Sequence, residues 1–318
     1  MLFSKIIKKK FDEVLGRYEK NDAYVTFTAQ DFDGLQTMEH PILGDRGIML
    51  QGYFYFYDSF DCDKLVVFDH GIGEGHQAYM KEIECLASHG YTVYSYDHTG
   101  CADTKGSGIL GFAQGINDLD HVLSALQKEY SYSSIKLVGH SWGAYSAMNV
   151  VAFHPEVSHV VSLAGFLSAK SLCEQYIPKP FLKYSKEVMG REREHNPKYA
   201  DLDARESLLK SDAKLLHLQS KDDQMVYYSL SFEPLELALK NRKDTILRSL
   251  DGRNHGPQLT NEASKAFDEM KKDEATLLKK HALDTKEQKE EFKKNHDFNL
   301  ITKQDPIIWK EIFTFLES

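Results

Sequence analysis

Cysteine is scarce in this chain. The four present, Cys62, Cys85, Cys101 and Cys173, include no C-x-x-C spacing, so neither a disulfide framework nor a zinc ribbon is written into the sequence. Long apolar runs are missing as well. No eighteen consecutive residues are apolar, which argues against a transmembrane helix. A surplus of positive charge is absent: 39 basic against 48 acidic residues leave a net charge of −9, which gives no general attraction to nucleic acid. The first twenty residues lack the apolar core of a secretory signal, because Lys8, Lys9 and Lys10 interrupt Leu2, Phe3, Ile6 and Ile7. A short amphipathic helix over 1–22 is the expectation there, and a cytoplasmic protein with reduced thiols fits best. Internal repeats and low-complexity linkers are also missing.

What remains is an ordinary globular mixture, 42% hydrophobic and 27% charged over 318 residues. For a chain of this mass, surface scaling implies that about three quarters of the unfolded surface is buried on folding. A core of that size needs no staples.

The patterning changes along the chain. Residues 23–29 and 47–57 read as strands, the second with aromatic rings on both faces, as suits a position near a sheet edge. From residue 64 short, nearly unbroken apolar runs alternate with helical lengths. The spacing predicts strands over 64–68, 92–96, 135–138, 160–163, 214–219 and 245–250. Helices are predicted over 79–89, 116–129 and 142–153. Unbroken apolar strands need cover on both faces, so the pattern implies an α/β fold: a mostly parallel sheet of about eight strands, with helices on both faces and right-handed crossovers.

The strongest local signal is Gly139-His140-Ser141-Trp142-Gly143, which follows the run Ile135-Lys136-Leu137-Val138 and opens a helical stretch. Strand, tight turn and helix is the context in which a G-x-S-x-G string lifts a serine above the sheet edge as a nucleophile, with the next backbone N–H aimed at the same point. Ser141 is therefore the expected nucleophile. It needs a base to take its proton and an acid to fix the base's tautomer.

Through this pentapeptide and the turn His70-Gly71, the sequence resembles the α/β-hydrolase superfamily, and within it the small serine esterases and lipases. The likeness spans roughly residues 47–258 and the last helix. It implies an eight-stranded sheet with one antiparallel strand, a chain order of serine, acid and histidine, and a cap inserted after the sixth strand. The family's acid loop resembles Gly-x-x-Asp-x-x-Val; here Ser220 stands in the glycine place and Asp223 lies three residues before Val226, which makes Asp223 the expected acid and Asp222 the reserve. His255, in the glycine-flanked loop after the last predicted strand, occupies the place of the general base. The resemblance assigns the oxyanion donors to the backbone N–H groups of Ile72 and Trp142. His70 is expected to shape its turn by bonding to backbone.

Other residues are given plainer roles. His217 falls within an apolar strand and is expected to be a satisfied core residue. His76, His89, His98, His154, His159, His195, His281 and His296 are taken mostly as surface residues. Zinc at His70, Glu74 and His76 is disfavoured, since no H-E-x-x-H helix exists and the serine chemistry needs neither metal nor cofactor. The turn Asp97-His98-Thr99-Gly100-Cys101-Ala102-Asp103-Thr104 departs from the family's Asp-x-x-Gly-x-Gly-x-Ser at Ala102 and Thr104, a change of loop shape more than of catalysis. Without a Walker G-K-[ST] ending, phosphate binding is excluded.

The expected organisation is a core over 23–164 and 213–257, a cap over 165–212, a helical insertion over 258–304 and a closing core helix over 305–318. Asp305 would cap that last helix and Pro306 would open it. The cap's aromatic and aliphatic residues suit an apolar pocket, so the expected reaction is hydrolysis of a carboxylic ester on a small acyl substrate through an acyl-enzyme. A peptidase or amidase with the same triad, and a non-enzymatic binding protein on the same fold, are the alternatives. The 258–304 segment is expected either to pack beside the cap or to serve self-association.

Overall fold

The computed structural model describes residues 9, 11, 13–73, 75–130, 132 and 134–318. Of the helix expected over 1–22, residues 1–8, 10 and 12 lie outside the described residues. From Gly16 the chain is extended, bridging Gly16 to Gly108 and Tyr18 to Cys101.

Eight strands form the main sheet among the described residues: β1 (Gln36–Glu39), β2 (Gly52–Phe56), β3 (Leu65–Asp69), β4 (Thr92–Tyr96), β5 (Ile135–His140), β6 (Val157–Leu163), β7 (Lys214–Ser220) and β8 (Thr245–Leu250). Their spatial order is β1-β2-β4-β3-β5-β6-β7-β8. Only β2 runs against the rest, antiparallel to both β1 and β4, while the pairs from β4 to β8 are parallel. The α/β architecture with one reversed strand is the one the resemblance implied.

The unbroken apolar runs are explained by alternation. Leu65, Val67, Tyr94, Leu137, Val160 and Leu215 face one core, under α2 (Gln114–Glu129) and α3 (Trp142–Val150). Val66, Phe68, Val93, Val138, Val161 and Leu216 face the other, under α1 (Met80–Ser88) and the C-terminal helix. Period-two geometry sends neighbours to opposite faces, and both faces are covered. Each large side chain so buried contributes about 1.5–3 kcal/mol.

After β6 the chain forms α4 (Ala169–Tyr176), α5 (Ser185–His195) and α6 (Ala204–Leu209); α7 (Phe232–Leu239) links β7 to β8. Beyond β8 come α8 (Asn261–Lys279), α9 (Lys286–Lys294), α10 (Phe298–Ile301) and α11 (Pro306–Leu316). Asp305 caps α11, accepting from Ile307 N at 2.8 Å, and Ile308, Ile312, Phe315 and Leu316 turn inward. The apolar face of α8–α10, with Met270, Phe292, Phe298 and Ile301, is covered by Ala23, Tyr24 and Phe27. Residues 23–29 therefore form no strand: their aromatic and aliphatic side chains are a lid for these helices, with no strand alongside to complete a ladder. Among the described residues no helix is long and apolar enough to cross a membrane.

Candidate active site

Four parallel strands deliver the candidate residues to one sheet edge. At their C-terminal ends stand His70-Gly71-Ile72 after β3, Ser141 after β5, Asp223 after β7 and His255 after β8, the arrangement expected of binding sites in parallel sheets.

Ser141 sits at φ 54°, ψ −110°, a strained backbone for a residue with a Cβ, at the junction between β5 and α3. Its N–H donates to Leu163 O at 2.8 Å and its carbonyl accepts from Tyr145 N at 3.0 Å, so the turn is held by the sheet on one side and the helix on the other. The flanking glycines are required by space. A Cβ at Gly139 would lie 2.5 Å from the Gly143 carbonyl carbon, and one at Gly143 would lie 2.0 Å from the Asp69 carbonyl oxygen. The Ser141 hydroxyl makes no hydrogen bond among the described residues; the partners of His255 there are Asp223 and, through its carbonyl, His140.

His255 and Asp223 meet directly. His255 Nδ1 lies 2.9 Å from Asp223 Oδ2 and 3.0 Å from Oδ1. The Asp223 side chain is fully buried, whereas His255 keeps about a fifth of its side-chain surface exposed. Met225 N and Val226 N both donate to Asp223 Oδ1 at 2.9 Å, fixing the carboxylate plane. Asp222 turns away: it accepts from Ser220 Oγ and from Gly252 N at 3.1 Å and so ties the acid loop to the β8 turn. Burial works against its charge, but the bonds from Ser220, Asn254 and Gly252 outweigh that and hold it below the usual carboxylate value. Asn254, at φ 44°, links the acid loop to α8, accepting from Gln224 N at 3.0 Å and donating to Asp268 at 2.8 Å. The Arg253–Asp305 ion pair, at 2.7 Å, anchors the same turn to α11.

The β3 turn is organised by His70. Its Nε2 accepts from His98 N at 3.1 Å, so the proton is on Nδ1, which donates to Gly71 O at 2.6 Å. Burial pushes the His70 imidazole down to about 3, keeping it neutral. A trans peptide fixes the Ile72 N–H opposite to the Gly71 carbonyl. Trp142, buried at the start of α3, anchors its indole on Phe112 O at 2.6 Å.

Several histidines depart from expectation. His76, His98, His154 and His159 are buried, not on the surface. Each is drawn inside by partners that the linear sequence does not display. His76 bonds Asp97 at 2.7 Å and Tyr55 at 2.8 Å, and Asp97 is held at about 2: burial opposes its charge, but the His76 contact prevails. His154 lies between Asp120 at 2.6 Å and Glu156 at 2.7 Å. His159 packs edge-on against Phe315. His98 is enclosed by Asp69 at 2.5 Å and Asp118 at 3.2 Å. Burial opposes charge on its ring, yet Asp69 and Asp118 together raise it to about 9. Burial also pushes the Asp69 carboxyl up while His98 pulls it back; with two carboxylates against one ring, the proton belongs on His98. His217 is a core residue, bonded to Ser162 Oγ at 2.9 Å. Thr104, in the family's serine place, donates to Asp97 O at 2.7 Å and accepts from Gln51 N at 2.8 Å, while Ala102 takes the left-handed φ of 41° that glycine would hold without strain.

Two residues beside the site were given no role from the sequence. His140 occupies a variable position of the G-x-S-x-G string, and Tyr79 directly precedes α1; Tyr79 Oη lies 2.9 Å from His140 Nδ1. A histidine adjacent to the expected nucleophile is the one clue the sequence offered.

The family model for serine aminopeptidase, S33, matches residues 61–227, a little over half of the chain and inclusive of Ile72, Ser141, Trp142 and Asp223. No curated protein sequence matches. Among solved structures, an esterase from Pyrococcus furiosus is similar at 19% identity and TM-score 0.59, covering 82% of this chain and 98% of its own. A puromycin-hydrolyzing peptidase from Mycobacterium tuberculosis is similar at 17% identity and TM-score 0.55, over 74% of this chain and 37% of its own. An acylaminoacyl peptidase from Pyrococcus horikoshii is similar at 18% identity and TM-score 0.53, over 71% and 39%. At these identities the likeness is one of fold. With the matched family covering most of the site, a serine-hydrolase type of enzyme is supported, and the chain belongs to the serine aminopeptidase S33 family of α/β-hydrolases.

Proposed function

We propose that this protein is a serine hydrolase that cleaves carboxylic esters through Ser141, His255 and Asp223. The observation that carries the reading is the strained Ser141 turn standing at the same sheet edge as a buried carboxylate that grips His255 Nδ1. His255 removes the Ser141 proton as the hydroxyl attacks the acyl carbonyl. Asp223 holds the Nδ1–H tautomer and stabilises the imidazolium, leaving Nε2 to act as base. The N–H groups of Ile72 and Trp142 receive the oxyanion, where removal of one preorganised donor typically costs about 3–4 kcal/mol of transition-state stabilisation. His255 then protonates the leaving group, and water activated by the same ring clears the acyl-enzyme.

An uncharged acyl group is supported by the rim beside the acid loop. Cap helix α4 is tied to that loop by Tyr176 Oη and Gln175 Nε2, which donate to Met225 O at 2.6 and 2.9 Å. Tyr176, Met225 and Tyr227 remain substantially exposed there. The family's aminopeptidase description supports a second reading, cleavage of an amino-terminal residue by the same triad. A series of p-nitrophenyl esters of increasing acyl length, run beside aminoacyl p-nitroanilides, decides between them. The ester reading expects turnover on esters with a chain-length optimum and little on anilides; comparable or higher kcat/KM on an aminoacyl anilide replaces it with the peptidase reading.

A further inference from the structure

Three loops of the site are joined by hydrogen bonds that the triad itself does not include. Gly71 N–H donates to Tyr79 Oη at 3.2 Å. Tyr79 Oη lies 2.9 Å from His140 Nδ1, and His140 Nε2 lies 2.7 Å from the carbonyl oxygen of His255. A carbonyl only accepts, so Nε2 carries the proton. Nδ1 is then an acceptor, and the phenol must donate to it. Every polarity along the chain is thereby determined: Gly71 N–H to Tyr79, Tyr79 O–H to His140, His140 N–H to His255 carbonyl. Burial, reinforced by the nearby His255 ring, pushes the His140 imidazole down to about 3, so the acceptor is present across the physiological range.

The packing around this chain is close. A Cβ on Gly71 would fall 2.6 Å from Tyr79 Oη and 3.4 Å from both His140 Nδ1 and Ser141 Cβ, so only glycine admits the phenol here. The His140 ring lies 4.8 Å, edge to face, from the ring of His255 and 5.5 Å from that of Tyr79. His140 is itself the residue preceding Ser141.

We propose that Tyr79 and His140 are positioning residues that couple the oxyanion turn at Gly71 to the loop carrying His255, across the nucleophile. The inference rests on the hydrolase reading and extends it. His140 holds the backbone of the base; Tyr79 holds the peptide that precedes the Ile72 donor. Both ends meet on a residue covalently joined to Ser141, so a shift of either loop is resisted by the nucleophile's own turn. Aligned donors and acceptors in a buried chain also reinforce one another.

The test is steady-state hydrolysis of p-nitrophenyl butyrate by wild type, Tyr79→Phe, His140→Leu, the double variant and His140→Gln, each with its melting temperature. Tyr79→Phe is expected to lower kcat about tenfold with KM within about twofold, the size of effect one lost hydrogen bond gives when it acts in the transition state. His140→Leu should lose more, and the double variant no more than His140→Leu alone, because both act through one connection. His140→Gln retains an amide donor for the His255 carbonyl and should recover part of kcat at a melting temperature like that of His140→Leu. Wild-type kcat in both single variants, or losses that simply multiply, would overturn the proposal. If wild type neither turns over esters nor reacts with a fluorophosphonate, the hydrolase reading fails instead. The relay is then judged by the imidazole ¹⁵N shifts of His140: protonation on Nε2 upholds it and protonation on Nδ1 refutes it.

Discussion

Both carboxylate oxygens of Asp223 lie within 3.0 Å of one nitrogen of His255, while its sequence neighbour Asp222 faces the opposite way, onto the backbone of Gly252. The two adjacent carboxylates therefore have separate partners, and substitution tells them apart. Asp223→Asn is expected to lower kcat by about 10⁴-fold, through loss of the correct imidazole tautomer. Asp222→Asn, which weakens only a loop tether, should cost about 1 kcal/mol of stability and less than tenfold in kcat. Ester turnover and thermal unfolding of the two variants check this; the reverse ranking in kcat would move the acid to Asp222.

The glycines of the nucleophile turn differ sharply from a glycine elsewhere. Gly143→Ala drives a Cβ to within 2.0 Å of the Asp69 carbonyl oxygen, in the last residue of β3. It should reduce both melting temperature and turnover, since neither side of that contact is a flexible side chain. Gly190, inside α5, has nothing within 4 Å of an added Cβ. Gly190→Ala is expected to stabilise by about 0.5–1 kcal/mol with unchanged kcat. Calorimetry on the pair measures the contrast.

The buried His98 predicts a pH signature. Its folded pKa, about 9, exceeds the ordinary value of 6.5 because Asp69 and Asp118 overcome the burial that opposes its charge. Its stabilising contribution is thus full below about pH 6.5 and is lost as pH rises through about 9. Wild-type melting temperature should fall across that window. His98→Asn should melt lower at neutral pH, with two carboxylates left unneutralised, and should lose the slope between pH 6.5 and 9. An unchanged slope would place the titrating group elsewhere.

Glu192 supplies a second, separate window. Burial raises its carboxyl to about 7, although the N–H groups of Ala113 and Phe112, which it accepts at 3.0 and 2.7 Å, pull the other way. Relative to its ordinary value of 4.5, the folded protein gains from the protonated form, and that gain is lost as pH rises through about 7. Glu192→Gln should flatten the decline in melting temperature between about pH 4.5 and 7. Because α5 meets the β4–α2 connection here, the same variant reports how firmly α5 is held to that connection.

Much of this was legible in the sequence, and for identifiable reasons. The strands β3 to β7 announce themselves because both faces are buried, so their apolar runs are nearly unbroken, as in Leu65–Phe68; β4 coincides with its predicted 92–96 span. Strand β1 was invisible, since all four of its residues are exposed at the sheet edge and their composition carries no period. Residues 23–29 look like a strand because β-formers also serve to cover a helical pair. The nucleophile turn could be read because its geometry demands glycines at fixed places. The buried histidines could not, because Asp69, Asp97, Asp118 and Asp120 meet them across the fold, from the sheet and from α2, and not by spacing. For the same reason His140 and Tyr79 stayed hidden: a hydrogen bond to a backbone carbonyl 115 residues away leaves no pattern in the chain.

The most direct test of the central claim is reaction with a fluorophosphonate, read by intact mass and peptide mapping on wild type and on Ser141→Ala at matched melting temperature. The account predicts one covalent adduct, on Ser141, and none in the variant. An adduct on another serine, or undiminished reaction after Ser141 is replaced, would contradict it.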